Sequence, residues 1–319
     1  MRRILKPLSL LALLASSIPA TALTLTPKAQ DSLGHLYAMM LYKNALFAQI
    51  PQIQPDLAAK AAQVDAEFQR HFPQAMQQLD ILIMQSGDAK ENAALNAEAT
   101  KIAQTQASLD VKNPAIASGF VAYIDALNHG SPTPQPDIQA ALLSMTYEGH
   151  PEREIADGFV QHYEDAKQGL KLELPLSWLM NKQENGDVMW ISEYGSGWQL
   201  FQLMVDTRKE SYSQAQLRQA ISDPSLQKLK STGTNILAKG EYTPNNKLGI
   251  WLETTHADAK PSRAYQHTLF FSVYAKPLSI NMVCTLGGPI DKSNQIDADF
   301  VQFKPLCQQM VDSLSVSGR

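Results

Sequence analysis

The sequence predicts an α+β chain in which a helical bundle precedes an antiparallel sheet flanked by helices. Three observations predict it. Between residues 28 and 172, large apolar groups recur every three or four positions in segments rich in Ala, Gln, Leu and Met, which is the period of amphipathic helices. After residue 172 the apolar period falls to two, as in strands with one buried face. Composition changes at the same place. Trp178, Trp190, Trp198, Trp251, Cys284 and Cys307 all follow it; residues 23–172 carry 10 basic and 17 acidic groups, net −7, whereas residues 173–319 carry 14 of each. The expected domains are therefore a helical one over 23–172 and an α+β one over 173–319.

The elements follow in chain order. Arg2, Arg3 and Lys6 precede a short apolar run, Leu8–Ile18, and Ala20-Thr21-Ala22 supplies an A-x-A cleavage pattern. This is the layout of a secretory signal peptide over residues 1–22, cut after Ala22. The run is too short to span a membrane, and no cysteine follows it to carry a lipid anchor. Cleavage removes three basic groups, so the net charge moves from −4 to −4 − 3 = −7. An acidic chain without a basic cluster argues against nucleic acid and against an anionic membrane surface. No later segment approaches membrane-spanning length, so no membrane insertion is expected after cleavage.

Leu33, Leu36, Tyr37, Met40 and Leu41 mark a first helix that stops at Pro51, and Leu57, Ala61, Val64 and Phe68 mark a second after Pro55. Met76, Leu79 and Ile83 give a third, ending at Gly87. Residues 88–111 are Ala-rich with few large apolar groups, which predicts a surface helix. Ile116, Phe120, Ile124 and Leu127 follow Pro114. His129–Pro136 reads as a loop, then Ile138, Leu142 and Met145 form a stripe, and a last helix starts at Pro151 with Glu152 and Glu154 in its first turn. The total is six or seven helices.

In the second half, Val188 and Trp190 alternate with Met189 and Ile191. Phe201, Leu203 and Val205 share a face, as do Leu248, Ile250 and Leu252. His267, Leu269, Phe271 and Val273 line one side of the next strand, and Ile280, Met282, Cys284 and Leu286 one side of the last. Ser213–Lys230 is helical and broken by Pro224; a C-terminal helix starts near Phe303, ahead of Pro305. Short turns between consecutive strands imply antiparallel pairing, with helices covering the apolar face. Cys284 belongs to the buried strand face, and Cys307 to the apolar stripe Phe303, Cys307, Met310, Val311 and Leu314 of the last helix. In an oxidising compartment this pairing predicts a Cys284–Cys307 disulfide. Buried free thiols and a reactive thiolate are the alternatives.

The entry Leu174-Pro175-Leu176-Ser177-Trp178, the GDVMWISEY and QLFQLMVD strand pair, the helix before TGTNILAKGEY, and the LSINMVCTLGG close followed by a helix ending Val311–Leu314 resemble the Mog1/PsbP-like superfamily over about residues 173–316. The resemblance implies an α/β sandwich whose relatives mostly bind other proteins and are not generally enzymes. It carries over no catalytic residue.

The chain holds no Walker loop, no G-x-G-x-x-G, no H-E-x-x-H and no G-x-S-x-G. The densest ionic cluster is Glu148, His150, Glu152, Glu154, Asp157 and His162. His150 and Glu154 are spaced to share a helix face and so to hold a metal, but a charged helix start explains the cluster more simply. His267, on an apolar strand face, reads as a core or edge histidine with a satisfied hydrogen bond. No metal or cofactor is expected. The reading is a periplasmic or secreted, non-enzymatic interaction or accessory module, an envelope factor or immunity-type protein, whose partner is another periplasmic or secreted protein. The alternative is a small-ligand binder or hydrolase with its site between the domains, where the polar loop Thr254–Ala264 presents His256, Asp258 and Arg263. A purely structural spacer is a third reading.

Overall fold

The computed structural model describes residues 27–317 except 74, 85–88, 183–186, 193–197, 208–213, 232 and 259–263. The expected signal peptide and Arg263 lie outside the described residues. The chain divides into two compact units between Thr146 and Tyr147.

The first unit contains α1 (Pro27–Ile53), α2 (Pro55–His71), α3 (Ala75–Met84), α4 (Ala89–Asp110), α5 (Pro114–Asn128) and α6 (Pro136–Thr146). Prolines open α1, α2, α5 and α6, where the missing N–H costs nothing. The Asn113 side chain caps α5 by accepting a hydrogen bond from Ala115 N at 3.1 Å. Pro51 does not end α1 as the sequence suggests. It sits in the last turn, where only one backbone bond is forgone. α1 is the core helix, with Leu36, Tyr37, Ala38, Met39 and Met40 all buried.

The helix expected over residues 88–111 is α4, whose outer side is exposed, Leu109 included. Ala99, Ala103 and Ala107 recur every fourth residue on a buried face of α4, followed by buried Val111. Small side chains let α4 lie close against α1, so burial needs no large residue. Tyr42 OH donates to Asp110 Oδ2 at 2.8 Å, and Tyr37 OH to Asn96 Oδ1 at 2.6 Å. Buried Lys43 pairs with Asp65 of α2 and lies against the rings of Phe47 and Phe68.

The second unit contains α7 (Glu152–Ala156), β1 (Val160–Asp165), β2 (Leu170–Pro175), β3 (Leu179–Lys182), β4 (Val188–Ser192), β5 (Trp198–Thr207), α8 (Gln214–Ala220), α9 (Asp223–Ser231), β6 (Thr234–Glu241), β7 (Leu248–Asp258), β8 (Ala264–Ala275), β9 (Leu278–Pro289), α10 (Ser293–Asp312) and β10 (Ser315–Val316). A seven-stranded sheet runs β3-β4-β5-β9-β8-β7-β6 and a three-stranded sheet β1-β2-β10. Every pairing is antiparallel.

The unit begins well before residue 173. The composition shift misses β1 and β2 because they carry no Trp or Cys. Yet Leu170, Leu172 and Leu174 alternate into the second core, and the Tyr163 ring meets Trp190 edge-on at 5.1 Å. The core lies between the seven-stranded sheet and α10: Trp190, Phe201, Leu269, Phe271 and Met282 face Phe300, Phe303, Leu306 and Met310. Cys284 of β9 and Cys307 of α10 meet in it at disulfide-bonding distance, with Cα atoms 5.9 Å apart.

α10 starts ten residues before Phe303, and Pro305 lies inside it. The buried stripe Ile296, Phe300, Phe303 holds helical spacing ahead of the proline. The carbonyl that Pro305 leaves without a donor is that of Val301, whose side chain is 71% exposed, so water can take the bond. α8 and α9 divide at Ile221–Ser222, just ahead of Pro224. The edge strand β6 is bulged between Ile236 and Ala238, which disfavours further strand addition there.

Candidate functional site

Two regions of the second unit concentrate chemistry. The first is a polar cluster at one end of the α10 face. Glu253, Thr255, Tyr265 and His267 project from β7 and β8 onto that face by strand alternation, because Thr255 pairs with His267 and Glu253 with Leu269. Asp297, Phe300 and Lys304 lie on one stripe of α10. His267 Nδ1 is 2.7 Å from Asp297 Oδ1, and Nε2 is 3.0 Å from Glu253 Oε1. Lys304 Nζ donates to Glu253 Oε2 at 2.6 Å, and Tyr265 OH reaches both Asp297 oxygens at 2.9 Å. The Phe300 ring stacks on the imidazole at 3.8 Å.

The imidazole thus lies between two carboxyl groups, with one ring nitrogen at hydrogen-bonding distance from each. Burial opposes ionisation of Glu253, but hydrogen bonds from Lys304 and His267 hold its carboxyl below the usual range. Burial and the Asp297 carboxylate push the Tyr265 phenol up, against a hydrogen bond with Thr255. Asp297, 43% exposed, is the solvent edge of the cluster. These polar groups bond to one another. The expectation that His267 is a satisfied histidine matches this geometry. Its partners could not be read from the sequence because they arrive from another strand and from α10.

The second region is the opposite sheet face. Arg218 of α8 pairs with Glu241, which lies beside Ile250, so α8 covers that face at the β6–β7 edge. Away from it, Ile191 pairs with Leu200, and Gln202 with both Met189 and Val283, which in turn pairs with Phe270. Met189, Ile191, Leu200, Met204, Val283 and Phe270 are all half-buried. The sequence carries the signal for this face, since β4 is apolar on both sides, as in a sheet meant to be covered twice.

The expected loop Thr254–Ala264 is largely strand. β7 continues to Asp258 and β8 resumes at Ala264. Backbone pairing with Gln266 and Ala264 outweighs the polar composition. His256 and Asp258 share the second face; His256 Nδ1 is buried without a hydrogen-bond partner, and Asp258 is engaged. Arg263 lies outside the described residues.

The ionic cluster of the α7 region is dispersed. His150 lies 3.6 Å from Glu152, His162 lies 3.7 Å from Glu173, and Asp157 accepts from Tyr147 OH at 3.0 Å. Glu154 turns inward and accepts from Ser177 N and Ser177 Oγ, both at 2.7 Å. Burial pushes its carboxyl up to about 8, against those bonds and one from Leu176 N. His150 and Glu154 therefore share no site.

No family profile matches the chain, and no curated protein matches it. Solved structures do. The PsbP protein CyanoP of Synechocystis sp. PCC 6803 is 11% identical, over 50% of this chain and 92% of that one, with a TM-score of 0.36. The Saccharomyces cerevisiae Ran-binding protein Mog1p is 9% identical, over 49% and 95%, with a TM-score of 0.37. A Pseudomonas aeruginosa protein of unknown function is 12% identical, over 50% and 99%, with a TM-score of 0.32. Each likeness spans about half of this chain and more than nine-tenths of the other.

Proposed function

We propose that the chain is an exported, non-enzymatic interaction module that docks a periplasmic or secreted protein on the second face of its seven-stranded sheet. The observation that carries this reading is the half-buried row on β4, β5, β9 and β8: Met189, Ile191, Leu200, Met204, Val283 and Phe270. Apolar groups set in this way around Gln202, Asn281 and Thr285 suit a protein partner better than a small polar ligand. The hydroxyls of Thr268 and Thr285, 3.0 Å apart on the same face, add polar contacts at its centre. The N-terminal secretory pattern and the paired cysteines support export. Among the described residues no helix is long and apolar enough to cross a membrane.

The test is site-specific photo-crosslinking of the mature protein, residues 23–319, in periplasmic and secreted fractions. A crosslinker at Leu200 or Met204 captures one protein stoichiometrically, and the same group at exposed Val301 on α10 does not. Equal capture at all three positions, or none from a folded bait, sinks the reading.

A further inference from the structure

The first unit carries a juxtaposition that sequence spacing conceals, because its members come from different helices. Glu67 of α2, Asp125 of α5 and His129, the residue after α5, each place one ligand atom within 4.8 Å of the others. We propose that Glu67, Asp125 and His129 bind a first-row divalent cation such as Zn2+, independently of the docking face.

The argument starts from the α2–α5 seam. It is tied by two bonds: Asn128 Nδ2 donates to Val64 O at 2.9 Å, and Lys60 Nζ to Asp125 Oδ1 at 3.1 Å. Asp125 and His129 are one helical turn apart, with Nδ1 of the ring 3.9 Å from Asp125 Oδ1. That nitrogen also lies 2.8 Å from the Asp125 carbonyl, the bond by which metal-binding histidines orient the ring and expose the other nitrogen.

A second observation lies at the same seam. Asn128, 3% exposed and next to His129, has an Oδ1 that is buried without a partner. A buried amide oxygen without a donor is costly, so the seam as it stands leaves one polar group unsatisfied.

The donor set selects the ion. Two carboxylate oxygens and one imidazole nitrogen suit Zn2+, Co2+ or Mn2+; Ca2+ takes a larger, all-oxygen set, and no thiolate is present to favour a soft ion. Bonds of about 2.1 Å place tetrahedral ligands about 3.4 Å apart, so the trio closes by about 1 Å of side-chain rotation, with water filling the last position. Lys60 is the competing cation. Its ammonium already holds Asp125, but it is half exposed and free to swing into water.

The experiment titrates tag-free mature protein with Zn2+ by calorimetry and with Co2+ by visible absorption. One ion per chain is expected. His129→Ala and Asp125→Asn each weaken binding at least tenfold, Lys60→Met tightens it about two- to fivefold, and His150→Ala, an exposed histidine elsewhere, changes nothing. All four positions are at or near the surface, and thermal melting checks the fold of each variant. Absence of saturable 1:1 binding, binding unaffected by His129→Ala, or an equal loss with His150→Ala overturns the site.

Discussion

Glu154 is a buried carboxyl whose protonation is linked to folding, and Glu154→Gln isolates that link. The group titrates at 4.5 when unfolded and at about 8 when buried. Between those values the folded state holds a proton that the unfolded state has released. Stability is therefore fully present below pH 4.5, falls as pH rises through the window, and is flat again above about 8. A single linked proton changes stability by about 1.4 kcal/mol per pH unit, so the whole window is worth roughly 5 kcal/mol.

Glutamine keeps an oxygen for Ser177 N and offers an amide N–H to Ser177 Oγ without titrating, so its stability stays level across the window. Glu154→Ala instead leaves buried Ser177 N without an acceptor, which costs about 1–3 kcal/mol at every pH. Denaturant unfolding monitored by tryptophan fluorescence is the assay. All four tryptophans belong to the second unit, so the signal reports that unit alone. A wild-type stability that rises from pH 5 to pH 8, or a fall that persists unchanged in Glu154→Gln, refutes the reasoning.

Reduction of the Cys284–Cys307 pair, or Cys307→Ala, lowers the stability of the second unit by about 3 kcal/mol, the loop-closure value for a 23-residue separation. Differential scanning calorimetry reads this as a drop of roughly 6–12 °C. Two titratable thiols in denatured, unreduced protein would contradict the pairing. Lys304→Met leaves Glu253 short of a donor and costs roughly 1–3 kcal/mol, and Glu253→Gln in the same chain recovers part of it. A double-mutant cycle with no coupling would dissolve the cluster as a unit. Trp190→Ala costs about 3–5 kcal/mol. Trp190→Phe costs less than half as much in urea titrations, because the remaining ring keeps the Tyr163 contact and the lost Nε1–H has no partner. Equal costs for the two would reveal a hidden partner for that N–H.

The sequence made legible whatever rests on local periodicity. The stripe of Phe120, Ile124 and Leu127 and the alternation of Leu269, Phe271 and Val273 each fall on a buried face. The meeting of Cys284 and Cys307 followed from two such faces. What failed did so where tertiary packing overrides a local rule. Pro305 reads as a helix start, but the buried stripe on both sides of it carries the helix through. The alanines of α4 read as a surface, because the value of a small side chain depends on how near the neighbour comes. The boundary at 172 followed tryptophan and cysteine, whereas Leu170, Leu172 and Leu174 had already joined the second core. The candidate sites were hardest to see. Glu253 has meaning only beside Lys304, and Glu67 only beside Asp125, and neither adjacency leaves a trace in spacing.

The pairing of β10 with β2 has a consequence for how the chain is made. Ser313 Oγ accepts from Glu173 N across 140 residues, and Ser317 Oγ donates to Gly169 O across 148. The helical unit is closed by pairings such as α1 with α4 and α2 with α5, all complete by Thr146, and can organise while synthesis is under way. The second unit cannot close its small sheet, or seat α10, until residues beyond 310 have emerged. Its strands must wait with apolar faces uncovered, a slow, high-contact-order step. A chain interrupted within α10 would thus present the cell with a finished helical unit and an open sheet, the kind of species that quality-control proteases and chaperones engage.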